Sequence, residues 1–421
     1  MELSYYNISY TEEGFSLVYN TFTKSFVKLP SEEWEYIQTN VNGMELSTEN
    51  ILVKEGIVVE SALEQLVQFK YYYHSKVFSG IYPLLYIAPT MSCNLRCFYC
   101  FEGSNKRGGV MPESTIGNMI TMLKKSSNKH IIIVWFGGEP LLGYSSILQI
   151  CKKMQESLIS FKSSMITNGT LLTKDKINTI NELNLDYVQI SIDGIAKDHD
   201  KRRMFNDGRP SFDIIMDNVD YYLRHSNIRF IFQVTVDKSN LTGYDDVVEY
   251  SKERFSSFIE NHRVRIGKNY VQNRTGFDSD NKCFGDTELI EDKIADSEKN
   301  NKTIGFPSLA IPCMYRRKGF FAIDSNGDIF KCIEHLGDKT KKIGSVNEHS
   351  ISLPALSKCT FENDPFEDAE CKTCNVLPIC GGGCPIDCIK FKKGEIASRC
   401  SYYKHSIPHL LPYYYSKIKS K

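Results

Sequence analysis

Leu84-Leu85-Tyr86-Ile87-Ala88 is an apolar run, and shortly after it the chain reads Cys93-Asn94-Leu95-Arg96-Cys97-Phe98-Tyr99-Cys100. A short run of this kind predicts a buried strand. The three thiols then sit on the loop at its carboxyl end, spaced Cys-x3-Cys-x2-Cys. Three thiolates on one loop do not complete a four-ligand zinc site. They suit three irons of a 4Fe–4S cube and leave the fourth iron without a protein ligand. An open metal position is what a substrate-binding metal site needs.

Working outward, further strand-like runs follow at Ile131–Phe136, Met165–Thr167, Tyr187–Ile192, Phe230–Val236 and Val264–Ile266. Helical patterns lie between most of them, at Glu113–Lys125, Tyr144–Ser160, Lys174–Leu183, Ser211–Arg224 and Asp245–Phe255. Such alternation predicts an α/β fold with a parallel sheet and crossover helices, here a partial (β/α)6 barrel. Barrels gather reactive groups at the carboxyl ends of their strands. Gly137-Gly138-Glu139 follows the second strand, Asn168-Gly169 the third and Asp193-Gly194 the fourth. Alone each is an ordinary turn; their weight comes from recurring on successive strand ends.

The chain has 421 residues, enough for two or three domains. Lys+Arg and Asp+Glu both number 51, so no basic excess points to nucleic acid. No cationic start with an apolar run opens the chain, and no apolar stretch reaches the ~20 residues of a membrane helix. The expectation is a cytoplasmic protein, without membrane or nucleic-acid partners. There are 14 cysteines. Disulfides do not persist in a reducing compartment, so metal or redox chemistry is the natural use. Three cluster at 93, 97 and 100, nine lie from 313 to 400, and Cys151 and Cys283 stand apart. Cys151 falls at apolar spacing on a helix and reads as core.

The Cys93 motif with its glycine-rich strand ends resembles the radical S-adenosylmethionine (SAM) enzymes. That resemblance implies a 4Fe–4S cluster on Cys93, Cys97 and Cys100, whose open iron chelates SAM. One electron then cleaves the sulfonium to a 5′-deoxyadenosyl radical that abstracts a substrate hydrogen. It also implies a flavodoxin- or ferredoxin-type electron donor. By similarity Tyr99 lies near the adenine, and Gly138 and Glu139 meet the SAM amino group. Asn168, Ser191 and Asp193 match polar positions lining the SAM cleft, and Arg203 pairs with the SAM carboxylate. The competing reading of the three thiols is a zinc knuckle with a borrowed fourth ligand.

Downstream, Cys313 precedes Gly327-x4-Cys332, then Cys371-x2-Cys374-x5-Cys380-x3-Cys384 and Cys400. This pattern resembles the SPASM domain, which holds two auxiliary 4Fe–4S clusters and brings the total to three. The resemblance assigns Cys371, Cys374, Cys380 and Cys400 to the distal cluster, and Cys313, Cys332 and Cys384 to the proximal one. A cysteine often found shortly before the one matching Cys313 is missing from Thr303 to Pro312. Either Cys283 supplies it or the proximal cluster has an open iron. Cys359 and Cys388 read as buried structural thiols. Cys371, Cys374, Cys380 and Cys384 could alternatively hold one zinc.

Before the barrel, Gly14–Tyr19 and Ser25–Leu29 read as strands around a turn at Asn20–Lys24. Pro30-Ser31-Glu32-Glu33 reads as a helix start capped by the serine, Glu55–Val59 as a third strand and Ser61–Tyr73 as a helix. Tyr19–Leu29 resembles the hairpin that opens a RiPP recognition element, a small winged-helix-like α+β fold that binds a precursor's leader peptide as an added strand. (RiPPs are ribosomally made, post-translationally modified peptides.) The competing reading is a cap on the barrel. The expected organisation is a recognition element at 1–80, a radical SAM barrel at 82–305, a cysteine-rich iron–sulfur domain at 306–401 and a tail at 402–421, a docking or frayed helix. Thr275–Thr303 reads as an irregular insertion.

Together these resemble peptide-modifying radical SAM/SPASM maturases, which crosslink a precursor peptide, often as a cysteine thioether of the sactipeptide or ranthipeptide type. The alternative is an anaerobic sulfatase maturase, which makes formylglycine. That group carries an aspartate directly after the cysteine matching Cys332, where this chain has Ile333-Glu334-His335. An alternative of another class is a non-catalytic, zinc-stabilised peptide-binding protein.

Overall fold

The six apolar runs become six parallel strands, hydrogen-bonded in chain order: Leu84–Ile87, His130–Trp135, Ser160–Thr167, Leu185–Ile192, Phe230–Val236 and Val264–Tyr270. The structure is a computed structural model, and it describes residues 1–79, 83–100, 103, 108–126, 130–271, 283–299 and 304–419. Two compact units emerge, one of residues 80–284 with 319–356 and one of residues 1–79, 285–318 and 357–421.

In the sheet unit, helices return the chain between strands. Phe212–His225 buries Phe212, Ile215, Met216, Val219, Tyr222 and Leu223, one continuous face at helical spacing. Tyr144–Glu156 buries Ile147, Ile150, Cys151 and Met154, so Cys151 is core as expected. This helix stops four residues short of the expected Ser160, because Leu158 turns the chain at φ +55° and Ser160 already pairs with His130. The stretch 174–183 is two short 3-10 turns rather than one helix, closed by left-handed Asn184. Ala196–Arg202 is a helix that its charged sequence concealed.

The sheet does not end at the first barrel strand. Phe320–Ile323 pairs parallel to Leu84–Ile87, and Asp328–Phe330, Gly344–Ser345 and Ser350–Ile351 continue antiparallel, giving ten strands. Part of the segment read as cysteine-rich domain therefore completes the sheet. Apolar Phe320, Ala322, Ile323, Ile329 and Phe330 account for this, since all are buried.

The other unit contains the antiparallel sheet Asn7–Glu12, Phe15–Asn20 and Phe26–Pro30, with Phe15–Asn20 central. Asn20 builds the expected turn: its side-chain oxygen accepts from the N–H groups of Phe22 and Thr23, both at 3.0 Å, and Lys24 is left-handed. Helices Ser31–Thr39, Leu46–Lys54 and Ala62–Phe78 follow. Pro30, not Ser31, occupies the cap position of the first, without a side-chain cap. The expected third strand shrinks to Val58–Val59, paired with Glu2–Leu3.

The N-terminal segment buries its apolar residues against the C-terminal one. Tyr6, Phe69 and Tyr73 pack with Phe366 and Leu377. Ile8, Leu17 and Tyr19 pack with Ile379, Ile407, Leu410, Leu411 and Tyr414. The tail is thus a docked helix, Tyr403–Lys419, despite Pro408 and Pro412. Asp286–Lys299, inside the stretch read as irregular, is a helix whose Ile290 joins the same core; residues 275–282 and 300–303 of that stretch lie outside the described residues.

Phe69 is fully buried and touches the rings of Tyr6, Phe22, Tyr72, Tyr73 and Phe366. Phe69→Ala is expected to cost about 3–5 kcal/mol, seen as a lower denaturation midpoint; a shift under about 1 kcal/mol would show that this core does not hold the unit together.

Candidate active site at the strand ends

The Cys93–Cys100 loop has few ladder bonds and is fixed from two sides. Leu95 bridges Phe205, the Arg96 N–H donates to the Met204 carbonyl at 3.0 Å, and the Asn206 side chain donates to the Cys93 carbonyl at 3.1 Å. On the other side the N–H of Glu139 donates to the Ser92 carbonyl at 2.8 Å. A side chain at Gly138 would place its Cβ 2.2 Å from the Ser92 carbonyl oxygen. The glycine pair is therefore required to seat the cysteine loop on the next strand end. Cys93, Cys97 and Cys100, all half-buried, line one cavity with Leu95, Arg96, Phe98, Gly103 and Asn206.

Glu139 is fully buried. Its carboxylate accepts from the Thr167 hydroxyl at 2.7 Å, the Asn168 N–H at 2.8 Å and the Leu141 N–H at 3.0 Å. Burial pushes its pKa up, against these donors. The carboxylate expected to meet an ammonium thus braces the end of the third strand. The Asn168 amide donates to Asn94 at 2.8 Å and approaches the Cys93 sulfur at 3.9 Å, while its oxygen accepts from the Thr170 N–H and hydroxyl. Asn168 therefore reads the cysteine loop directly.

Tyr99 donates its hydroxyl proton to Asp193 at 2.6 Å and accepts from Arg203 at 2.7 Å. Burial of the hydroxyl raises the Tyr99 pKa well above that of an ordinary phenol. Asp193 also accepts from Arg202 Nε at 2.9 Å, and Arg202 reaches Asp237 and Ser239, both at 2.9 Å. Two buried aspartates thus meet two arginines, and the charges balance. The Arg202 guanidinium lies 5.0 Å from the Phe98 ring centre and 5.4 Å from that of Tyr99. His199 lies beneath, fully buried; burial, then Arg203 and Arg202, push its pKa well down, so it is neutral. Ser211 donates to the Arg203 carbonyl at 2.6 Å, so its oxygen receives the His199 Nε2 proton at 3.1 Å.

Of the expected residues, the structure links Cys93, Tyr99, Gly138, Glu139, Asn168, Asp193 and Arg203 through this network. Ser191 lies half-buried on the fourth strand opposite Gln233 and makes none of these bonds. Asn94, Thr167, Thr170, Arg202 and Asp237 were missed. Asp237 had a visible signal: like Asp193, it directly follows an apolar strand.

In the other unit, Cys371, Cys374, Cys380 and Cys400 line a single pocket with Arg399, Ser401 and Lys404. Asp368 organises its rim. It accepts from the Cys371 N–H at 3.1 Å and from Arg399, which directly precedes Cys400, at 2.8 Å. Gly381, Gly382 and Gly383 are all left-handed and carry the chain from Cys380 to Cys384, which starts the helix Pro385–Lys392. Cys359 and Cys388 are buried, as expected. Cys313 and Cys384 belong to this unit, whereas Cys332 and Cys283 belong to the sheet unit.

Residues 87–250, covering the strand ends just described, match the Radical SAM superfamily. The chain carries a radical SAM domain. A cysteine-type anaerobic sulfatase-maturating enzyme from Clostridium novyi (strain NT) is 28% identical over 332 residues, 71% of this chain and 86% of its own length. Among solved structures, anSMEcpe with bound AdoMet and the Cp18Cys peptide has a TM-score of 0.60 at 18% identity, covering 80% of this chain and 98% of its own. Streptococcus suis SuiB bound to precursor peptide SuiA has a TM-score of 0.57 at 16% identity, covering 95% of this chain and 99% of its own. These structures share the fold.

The residues of this radical SAM domain fit a 4Fe–4S cluster and SAM. Three thiols share one cavity, and Arg203 Nε is buried with no partner among the described residues. That nitrogen is a donor suited to a carboxylate. The second pocket offers four thiols and a buried, unpartnered Ser401 hydroxyl, a donor set that also suits a cluster. Among the described residues, no three His, Cys, Asp or Glu side chains converge on a single-ion site, and no helix is long and apolar enough to cross a membrane.

Hydrogen bonds from Arg399 hold the Asp368 pKa at about 2, below the ordinary carboxylate. A depressed folded-state pKa contributes stability above the unfolded value and loses it as pH falls through the folded one. The unfolding midpoint of the wild type should therefore drop between pH about 4 and about 2. Asp368→Asn should flatten that drop, and equal slopes would show the pair to be inert.

Proposed function

We propose that this radical SAM enzyme installs a crosslink in a ribosomally made precursor peptide, joining a cysteine sulfur to a peptide carbon as a thioether. The observation that carries this reading is the N-terminal sheet, which shares one core with the segment bearing Cys371, Cys374, Cys380 and Cys400. Its outer strands Asn7–Glu12 and Phe26–Pro30 each pair on one side only among the described residues. An unpaired strand edge accepts an extended peptide by backbone bonding. One solved structure spanning 95% of this chain is that of Streptococcus suis SuiB bound to its precursor peptide SuiA. The segments 1–80, 82–305 and 306–401 then act as leader-binding element, radical SAM barrel and auxiliary-cluster domain, the last with two further 4Fe–4S clusters.

In this reading Cys93, Cys97 and Cys100 hold the cluster that binds SAM. The group supplies a 5′-deoxyadenosyl radical, with one electron delivered by a flavodoxin- or ferredoxin-type donor. The chain's part is positional. Asn168 and Asn206 fix the thiol loop, Tyr99 would face the adenine, and Arg203 Nε would donate to the SAM carboxylate. Asp193 and Arg203 hold the Tyr99 hydroxyl, and Arg202 lies over its ring. The peptide loses two hydrogens per thioether: the adenosyl radical would take one as an atom, and the thiol hydrogen would leave as a proton while the remaining electron passes to an iron–sulfur cluster.

Formylglycine formation is the second reading, favoured by the 28% identity to a cysteine-type sulfatase-maturating enzyme. Glu334, in the turn after Cys332, would replace the aspartate expected there. Mass spectrometry separates the two, since a thioether product lacks two hydrogens and resists aldehyde reagents, whereas formylglycine reacts with them.

Anaerobically reconstituted enzyme with reductant should cleave SAM to 5′-deoxyadenosine. The triple variant Cys93→Ala, Cys97→Ala, Cys100→Ala should lose this entirely; retained cleavage would refute the assignment. Deleting residues 1–79 would remove part of a shared core, so the leader site is better tested by edge prolines. Ser9→Pro or Lys28→Pro, each on an outer strand, should weaken precursor binding about tenfold with an unchanged circular dichroism spectrum. Full affinity in both variants would return the sheet to the role of a cap.

A further inference from the structure

Arg316 is among the largest fully buried side chains of the protein, 1% exposed. Its Nε, Nη1 and Nη2 all lack a hydrogen-bond partner among the described residues. A guanidinium cannot neutralise itself by losing its proton, and a buried, unpaired charge is strongly unfavourable. An anion must therefore meet it in the working protein.

Its neighbours say which kind. The Arg316 N–H donates to the Cys313 carbonyl at 2.9 Å, so both lie in one turn. The Tyr73 hydroxyl donates to the Gly381 carbonyl at 3.1 Å, directly after Cys380, and senses the charges of Arg316, Cys313, Asp364 and Cys380 together. The Cys388 thiol, one helical turn after Cys384, donates to the Gly382 carbonyl at 3.4 Å and also senses Arg316. The nearby carboxylate Asp364 is committed elsewhere, accepting from His74 at 2.8 Å and from the Phe366 N–H. The sulfur-bearing residues placed beside Arg316 are Cys313, in its own turn, and Cys388, which senses its charge.

We propose that Arg316 is the positioning and counter-charge residue of the auxiliary iron–sulfur cluster whose expected ligands include Cys313 and Cys384, to whose sulfur atoms its N–H groups would donate. A cationic donor stabilises the reduced, more negative cluster and raises its potential, because charge and hydrogen bonds to sulfur set that potential. It also makes the metal-free protein carry an uncompensated ion. Cluster loading and folding of this region are thereby coupled.

The assignment rests on the reading of the C-terminal cysteines as cluster ligands. The test compares wild type, Arg316→Met and Arg316→Lys, full-length, metal-free and anaerobically reconstituted. Metal-free Arg316→Met should be at least as thermally stable as metal-free wild type, since it removes an orphan charge. Reconstituted Arg316→Met should show either one auxiliary cluster titrating at a more negative potential by electron paramagnetic resonance, or about four fewer irons than the roughly twelve of three cubes. Arg316→Lys should recover most of either effect. A destabilised metal-free Met variant, or an iron-replete Met variant with every potential unchanged, overturns the assignment. Wild type binding only about four irons overturns the auxiliary-cluster reading itself, and Arg316 with it.

Discussion

The cysteine loop has to be rigid without the regular hydrogen bonding of a sheet. Three thiols on a short irregular segment must keep one spacing if they are to hold one cluster, as proposed. The protein meets this constraint with backbone bonds from residues 204–206 on one side and 138–139 on the other. Glu139 links the ends of the second and third strands, and Asn168 passes that constraint to Asn94 and Cys93. Carboxylate burial is unfavourable, and three donors offset it. The same residues that resemble cofactor contacts are thus also the joinery of the loop, and loss of function on mutating them would not by itself separate the two roles.

Charge is handled in the same way at the fourth and fifth strand ends. Arg202 spans Asp193 and Asp237, leaving Arg203 free to serve Tyr99 and to present Nε. Neutral His199 beneath them adds no further cation. The site therefore has a fixed, nearly balanced electrostatic floor with one uncommitted donor.

Much of this was legible because chemistry and period coincide. The six parallel strands announced themselves as apolar runs, and the cysteine spacing placed the loop. What stayed hidden has physical reasons. Ala196–Arg202 is too polar and short to show a helical face, and its two buried residues, His199 and Arg202, are types usually found outside. The strands Phe320–Ile323 and Asp328–Phe330 are three or four residues long, and the pairing of the first to Leu84–Ile87, on which the second builds, is set by tertiary contact across more than half the chain. Gly138 looked like a cofactor contact from sequence; only the 2.2 Å clearance to Ser92 shows that backbone packing alone demands it.

The shared core of the first and last segments also sets an order of events in biosynthesis. Tyr73 emerges from the ribosome long before its partner Gly381, 308 residues later. Until the C-terminal segments arrive, Phe69 and Tyr73 lack Phe366 and Leu377, and Leu17 and Tyr19 lack Ile407, Leu410 and Leu411, so part of each apolar face stays uncovered. Contacts this distant in sequence form late, and such intermediates are prone to associate. A nascent chain of this enzyme therefore needs protection at its beginning until its end has been made, and a C-terminal truncation would be felt first at the N-terminus.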